Sequence, residues 1–309
     1  MTPPLPIIAI VGPTATGKSD LGIALAHSVD GEIVNADASQ FYRGMDIGTA
    51  KLTLPEREGV PHHLLDVLDV HEEANVAAYQ QDAREVIAGI CERGRVPILV
   101  GGSGLYVRAA LDDLRIPPTD PAVRARWEAR LDAVGAPALH AQLASSDAPA
   151  AQQIHPSNGR RIVRALEVIE LTGEPFSATM PTREFVSPAV MLGLQIDRPT
   201  LHDRIGVRIE RMWHDGLLDE VRGLDRIGLR EGRTASRAIG YAQALQQLDG
   251  ILTETQAQAE TATLTRKFAR RQQSWFGPDP RIHWLPYDAP DLLDRALATV
   301  RAAAPASGP

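Results

Sequence analysis

The sequence contains one cysteine, Cys91, in 309 residues. A single thiol excludes an intrachain disulfide and any zinc site built from several cysteines, which fits a reducing compartment; its expected place is that of a small core residue. Basic charge is not in excess. The 32 Lys and Arg stand against 39 Asp and Glu, a formal net charge of −7, so the surface as a whole will not coat nucleic acid or an anionic membrane. Any nucleic-acid site has to be a local patch. The opening MTPPLPIIAIVG carries no basic leader, and no later stretch approaches the roughly 20 apolar residues of a membrane span. A cytoplasmic location without membrane association is expected. Internal repeats are also absent.

What is present is ordinary globular composition, 44% hydrophobic and 23% charged, in a chain long enough for one large domain or two modest ones. Short apolar runs bounded by turn residues occur at 7–11, 32–36, 63–68, 96–100, 190–196 and 282–285, with helical patterns between most of them. That alternation predicts a parallel α/β sheet flanked by helices. Between Pro117 and about Ser187 the pattern becomes helical. Asp120-Pro121 opens a helix with Val123, Trp127, Leu131 and Val134 on one face, ending near Gly135, and Trp127 is expected in a local core. A second helix, about 159–173, puts Ile162, Val163, Leu166 and Ile169 on one side and Arg160, Arg161 and Arg164 on the other. The expected organisation is a core of 1–117 and 188–301, an all-helical insertion of 118–187, and a disordered tail of 302–309.

Gly12-Pro13-Thr14-Ala15-Thr16-Gly17-Lys18-Ser19 matches G-x-x-x-x-G-K-[ST] at every fixed position, directly after an apolar strand and before a helical pattern. Glycines at 12 and 17 let the backbone aim N–H groups inward, the helix N-terminus adds partial positive charge, and Lys18 adds a full one. Such a P-loop holds a polyphosphate, with the Ser19 hydroxyl placed for Mg²⁺. The motif is the ATP-binding one, yet it leaves open a nucleoside triphosphate or some other diphosphate ester.

A P-loop nucleotide enzyme usually carries an acid after a second apolar strand. Here Pro97-Ile98-Leu99-Val100 runs into Gly101-Gly102-Ser103 with no acid, leaving Asp66 or Asp37 as substitutes. Asp37 ends the second strand on the same sheet edge as the P-loop. A carboxylate beside bound phosphate calls for a metal or a proton-transfer task; the alternative is a helix cap. His62, His63 and His71 fit no standard metal spacing and are read as structural or solvated.

The run Asp37-Ala38-Ser39-Gln40-Phe41-Tyr42-Arg43-Gly44-Met45-Asp46-Ile47-Gly48-Thr49-Ala50-Lys51 resembles the tRNA dimethylallyltransferase family, also called tRNA isopentenyltransferases. The likeness continues through His62-His63-Leu64-Leu65-Asp66, Val100 to Tyr106, Arg161 to Glu167, Ala238-Ile239-Gly240-Tyr241 and Arg270 to Trp275. It implies a P-loop NTPase-like fold and transfer of a dimethylallyl group from its diphosphate to N6 of the adenosine 3′ of the anticodon, in tRNAs reading U-initial codons. The P-loop would then hold the prenyl diphosphate with Mg²⁺, without ATP hydrolysis.

In this likeness Asp37 matches the catalytic aspartate, a base for an amine whose lone pair is delocalised. Arg208 matches a diphosphate-contacting arginine on a helix where Arg204, Arg208 and Arg211 follow one edge, and Ser103 stands where the family usually has Thr. Lys18, Thr14 and the loop amides face the leaving diphosphate. Ala38 replaces a common Ser, removing a hydroxyl. Expected tRNA contacts are Asp37, Ala38, Ser39 and Gln40; Arg160, Arg161, Ile162, Val163 and Arg164; Arg237, Ala238, Ile239, Gly240 and Tyr241; and Arg271.

The target base has to leave its stack to be read in a pocket. The segment 261–275 holds four basic residues and no acid. Its expected inward face is Leu264, Phe268 and Trp275, with Arg271 at the apolar edge and Arg266, Lys267 and Arg270 outward for RNA phosphates. The chain is expected to act as a monomer on a tRNA anticodon stem-loop. Rival readings are a P-loop small-molecule kinase, a prenyltransferase of free adenine nucleotides, and an RNA-binding module with a vestigial P-loop.

Overall fold

The structure is a computed structural model describing residues 5–179 and 183–304. The chain divides into two compact units, one of residues 1–111 and 185–309 and one of residues 112–184. In chain order the first unit begins β1 (Ile7–Val11), α1 (Lys18–Val29), β2 (Gly31–Asn35), β3 (His62–His63), α2 (Val76–Glu92), β4 (Val96–Val100) and α3 (Gly104–Leu111). The second unit holds α4 (Pro121–Ser146), α5 (Ala148–Gln153) and α6 (Gly159–Thr172). The first unit then resumes with β5 (Ala189–Gln195), α7 (Arg198–His214), α8 (Leu217–Asp225), α9 (Tyr241–Leu248), α10 (Glu254–Phe276), β6 (Ile282–Pro286) and α11 (Leu292–Ala302).

The six strands form one parallel sheet in the order β3-β2-β4-β1-β5-β6. Its central strands are apolar on both faces because helices cover both faces of a parallel sheet. Ile8, Ile10, Ile98 and Leu192 are fully buried with Leu25 of α1 and Val300 of α11. A second cluster joins Tyr42 and Met45 to Leu201, Ile205, Leu217, Val221 and Tyr241, building a helical layer around α7. All the sheet's C-terminal ends lie on one edge, which is where connecting loops can converge on a ligand.

The run 63–68 departs from expectation: only His62 and His63 pair with β2. Leu64 and Asp66 adopt positive φ, 59° and 57°, and this left-handed backbone breaks the ladder. Leu68 joins Tyr42 through a single bridge. Cys91 is exposed rather than in the core. The buried face of α2 is Tyr79, Ala83, Ile87 and Ile90, and the next residue turns about 100° away. At the C-terminus α11 reaches Ala302; of the expected disordered tail, 305–309 lie outside the described residues.

In the second unit Asp120 caps α4 by accepting from the Ala122 and Val123 amides. The helix breaks at Gly135, φ 78° and ψ 160°, two residues before Pro137. Leu139 and Leu143 beyond the break pack with Ile154, Ile162, Val163 and Leu166. Trp127 is half-buried against this cluster and donates from Nε1 to Glu170 at 2.8 Å, while Val134 is exposed. Among the described residues no helix is long and apolar enough to cross a membrane.

Candidate active site

The P-loop joins β1 to α1, and its backbone is left-handed at Ala15 (φ 63°) and Gly17 (φ 91°). Gly17 occupies the N-cap of α1 without a side chain to accept the first-turn amides. Those N–H groups and the helix's partial positive charge are therefore left for an anion. Thr16 Oγ1 and Lys18 Nζ both donate to the Pro13 carbonyl, at 3.0 and 2.6 Å. Burial pushes the Lys18 ammonium down to about 8; the Asp37 charge opposes that shift and Arg208 adds to it.

Arg208 reaches the same loop from α7. Its Nη1 donates to Thr14 Oγ1 and its Nη2 to the Thr49 carbonyl, each at 3.2 Å. Burial lowers its pKa and Asp37 raises it. The hydrophobic stripe Leu201, Ile205, Ile209 and Met212 holds α7 in place, which turns Arg208 inward. Arg204 donates from Nε to the Ala15 carbonyl at 2.8 Å and lies over the Tyr287 ring. Arg211 instead pairs with Asp215 at the surface.

Asp37 follows β2 and caps a 3-10 turn, Ala38–Phe41. Its Oδ1 accepts from the Ser39 amide at 3.1 Å and the Ser39 hydroxyl at 2.6 Å. Asn35 braces the same turn by accepting from the Asp37 amide and donating to the Asp37 and Leu64 carbonyls. The Ala38 amide donates to Ser103 Oγ at 3.3 Å. Gln40 donates from Nε2 to the Thr49 carbonyl at 3.2 Å, so Gln40 and Arg208 share one acceptor. Lys18, Arg208, Thr14, Asp37 and Ser103 thus converge at one edge of the sheet.

Several expected contacts stand elsewhere. Ile162 and Val163 are fully buried in the second unit's core, because their helical phase is that of the apolar face, rather than on its surface. Arg164 does not share an open face with Arg160 and Arg161, which are exposed. It is half-buried and donates to Glu167 and to the Pro117 and Pro118 carbonyls. Glu167 is itself buried. Burial raises its carboxyl, and the bonds from Arg124, Arg164, Thr119 and the Asp120 amide outweigh this, holding it at about 2.

Tyr241 is likewise buried, and its hydroxyl donates to Glu220 at 2.5 Å. Glu220 also accepts from the amides of Asp46, Ile47 and Gly48. A Cβ on Gly48 would come within 2.4 Å of the Tyr241 ring, so this glycine is required by close approach. Gly240 is buried too, whereas Arg237 is exposed and Ala238 and Ile239 are half-buried. On α10 the inward face is Ala257, Thr261, Ala269, Gln272 and Phe276. Trp275, expected inward, is 44% exposed, with Arg108 over its ring. Arg271 is exposed beside Phe268. His62 bonds the Val60 carbonyl and His63 bonds Glu32.

Gln272 was not singled out by composition or spacing, yet it is buried against the P-loop. Its Oε1 accepts the Thr14 amide and its Nε2 donates to the Gly102 carbonyl, each at 2.9 Å. Two signals point to it: a polar residue on the apolar phase of a helix, and its place in the Arg270 to Trp275 run that resembles the family. For a metal, Ser19 lines a cavity of about 30 Å³ with Asn35 and Gln40, room for about one water. Among the described residues no group of three or more His, Cys, Asp or Glu is placed to hold a metal ion. The rest of the lining is Ile33, Leu52, His62, Leu65 and Val100, so the protein offers few oxygens there and a Mg²⁺ would have to be carried mainly by phosphate oxygens and water.

Residues 40–279 match the family model described as IPP transferase. A tRNA dimethylallyltransferase of Kineococcus radiotolerans is 62% identical over 301 residues, 95% of each chain. One from Thermobifida fusca is 62% identical over 299 residues, 95% of this chain and 94% of its own. The crystal structure of the full-length tRNA isopentenylpyrophosphate transferase of Bacillus halodurans superposes with a TM-score of 0.70 at 40% identity, covering 96% of this chain and 95% of its own. A eukaryotic dimethylallyltransferase solved acting on tRNA gives 0.79 at 28% identity, over 94% and 76%.

Proposed function

The chain belongs to the IPP transferase family, and from that membership we propose that it prenylates tRNA with Asp37 as the base. The substrate is the adenosine 3′-adjacent to the anticodon in tRNAs reading U-initial codons, and the donor is dimethylallyl diphosphate. N6 of the adenine attacks C1 of the dimethylallyl group, the C1–O bond breaks, diphosphate leaves, and the N6 proton passes to Asp37. The product is N6-dimethylallyladenosine.

The observation that carries this reading is the set of cationic and hydroxyl donors facing one carboxylate. Lys18, Arg208, the Thr14 hydroxyl and the uncapped first turn of α1 are donors for the charge that gathers on the leaving diphosphate. Asp37 offers an oxygen to the amine. Ser103, bonded to the Ala38 amide, positions the turn that carries Asp37. A Mg²⁺ held by Ser19 would neutralise part of the diphosphate charge. Arg160, Arg161, Arg237 and Arg271, all exposed, are the side chains available for RNA phosphates. The kinase reading is disfavoured because β4, one of the two strands beside β1, runs into Gly101-Gly102 with no acid. We read the active species as a cytoplasmic monomer.

The test is incubation with Mg²⁺, dimethylallyl diphosphate and unmodified tRNA, followed by digestion and mass spectrometry for prenylated adenosine, with AMP and ATP as controls. Product on tRNA alone is expected. Asp37→Ala should abolish product while tRNA binding persists; wild-type turnover in that variant removes Asp37 as base.

A further inference from the structure

In P-loop nucleotide enzymes a further strand carries an acid that faces the metal. In this chain β4, one of the two strands beside β1, is followed by two glycines. The space they leave is filled. A Cβ on Gly102 would stand 2.1 Å from Gln272 Nε2 and 3.2 Å from the Gly12 carbonyl. Gln272 is 4% exposed, and both ends of its carboxamide are engaged. Nε2 holds the Gly102 carbonyl, and Oε1 takes the Thr14 N–H.

That N–H is the loop's first amide donor after Pro13, which has none. At Thr14 the backbone donor is therefore already taken by a side-chain carbonyl oxygen. At the α1 end the donors remain: the uncapped first turn and Lys18. At Thr14 the hydroxyl and Arg208 remain as donors, but the backbone amide does not.

We infer that Gln272 is a specificity-determining positioning residue that restricts the P-loop to a two-phosphate chain and excludes a third. The inference rests on the reading that the loop holds a diphosphate. A terminal third phosphate would meet the Gln272 Oε1 lone pairs, and the Thr14 N–H it needs is already spent. Gln272 does not touch the reacting atoms; it acts through the Thr14 amide and the Gly102 loop.

The experiment is calorimetric binding of inorganic pyrophosphate and of tripolyphosphate, in Mg²⁺ buffer, to the full chain and to Gln272→Ala and Gln272→Met. Tripolyphosphate carries more charge, so simple attraction by Lys18 and Arg208 favours it. The wild type is expected to prefer pyrophosphate by about tenfold or more, the scale of one misplaced hydrogen bond near charge. Gln272→Ala should remove most of that preference by admitting tripolyphosphate, with pyrophosphate affinity changed less than about threefold. Gln272→Met keeps the volume with only a weak sulfur acceptor, and gives the same narrowing should the Ala variant fail to fold. Equal wild-type affinities, a preference unaltered in the variants, or parallel loss of both anions would each overturn the inference. A wild type that prenylates tRNA but lacks the preference sinks this inference alone; one with the preference and no prenylated product sinks the functional reading alone.

Discussion

Ser39 Oγ donates to Asp37 Oδ1 at 2.6 Å, and the Ser39 amide joins the same oxygen at 3.1 Å. One carboxylate oxygen is thus doubly held, while Oδ2 accepts no hydrogen bond among the described residues. The proposed base is oriented by its neighbour two residues on, and the oxygen left over is the one free to take a proton. Ser39→Ala should lower kcat about tenfold with the tRNA KM nearly unchanged, since orientation of a base rather than binding is lost. Steady-state kinetics on tRNA check this; an unaltered kcat removes the orienting role.

Lys18 gives a pH dependence with a definite sign. Burial holds it at about 8, and an adjacent diphosphate will raise that value because the charged form is favoured. Below pH 8 the site is already cationic, so prenyl diphosphate affinity is flat once the ligand's last ionisation, near 6, is complete. Above pH 8 binding must take up a proton, and affinity falls by up to about tenfold per pH unit. Calorimetry at pH 9 in two buffers of different ionisation enthalpy should report this uptake, and none at pH 7.

Arg160 and Arg161 are exposed, whereas Arg164 is bonded within its own unit. Replacing Arg160 and Arg161 together with Ala should weaken tRNA binding and reduce the slope of log K against log salt by about 1.4, two single-strand phosphate contacts. Arg164→Ala should leave that slope in place. Filter binding from low to moderate salt separates the two; identical slopes in all variants take this helix out of the interface.

Glu167 ties the start of α4 to α6 through Thr119, Asp120, Arg124 and Arg164. Its folded value of about 2 lies below its ordinary 4.5, so the stabilisation is fully present above pH 4.5 and is lost as pH falls toward 2. At neutral pH Glu167→Gln should cost that unit about 3 kcal/mol. Hydrogen exchange of amides in 121–134 is the measurement, with faster exchange expected there and little change in β1 or β4.

The P-loop, most of the sheet and the break at Gly135 were legible because each is a local pattern. Five residues that alternate with helices, a glycine before a proline, or a Gly-Lys-Ser run at a strand end constrain their own backbone whatever surrounds them. The run 63–68 misled for the complementary reason. Its apolar residues suit a strand, but the left-handed turns at Leu64 and Asp66 are not written in side-chain hydrophobicity. Motif likeness erred where a contiguous segment was read as one surface. Ile162 and Val163 sit in sequence between the exposed Arg161 and the half-buried Arg164 yet lie in the core, and Tyr241 serves Glu220 and the turn at Gly48.

By itself the sequence determined the kind of chemistry: a P-loop, a carboxylate at the end of the next strand in the chain, and helices with a basic side. Those follow from spacing, since a period of two or 3.6 residues fixes which side chains share a face. Only the tertiary structure decided what meets across that face. Thr14 and Gln272 are 258 residues apart, and Glu220 lies more than 170 residues from the amides it gathers. Periodicity assigns a residue to the inside of its own element, but the partner it finds there depends on how separate elements pack, and no local pattern records that.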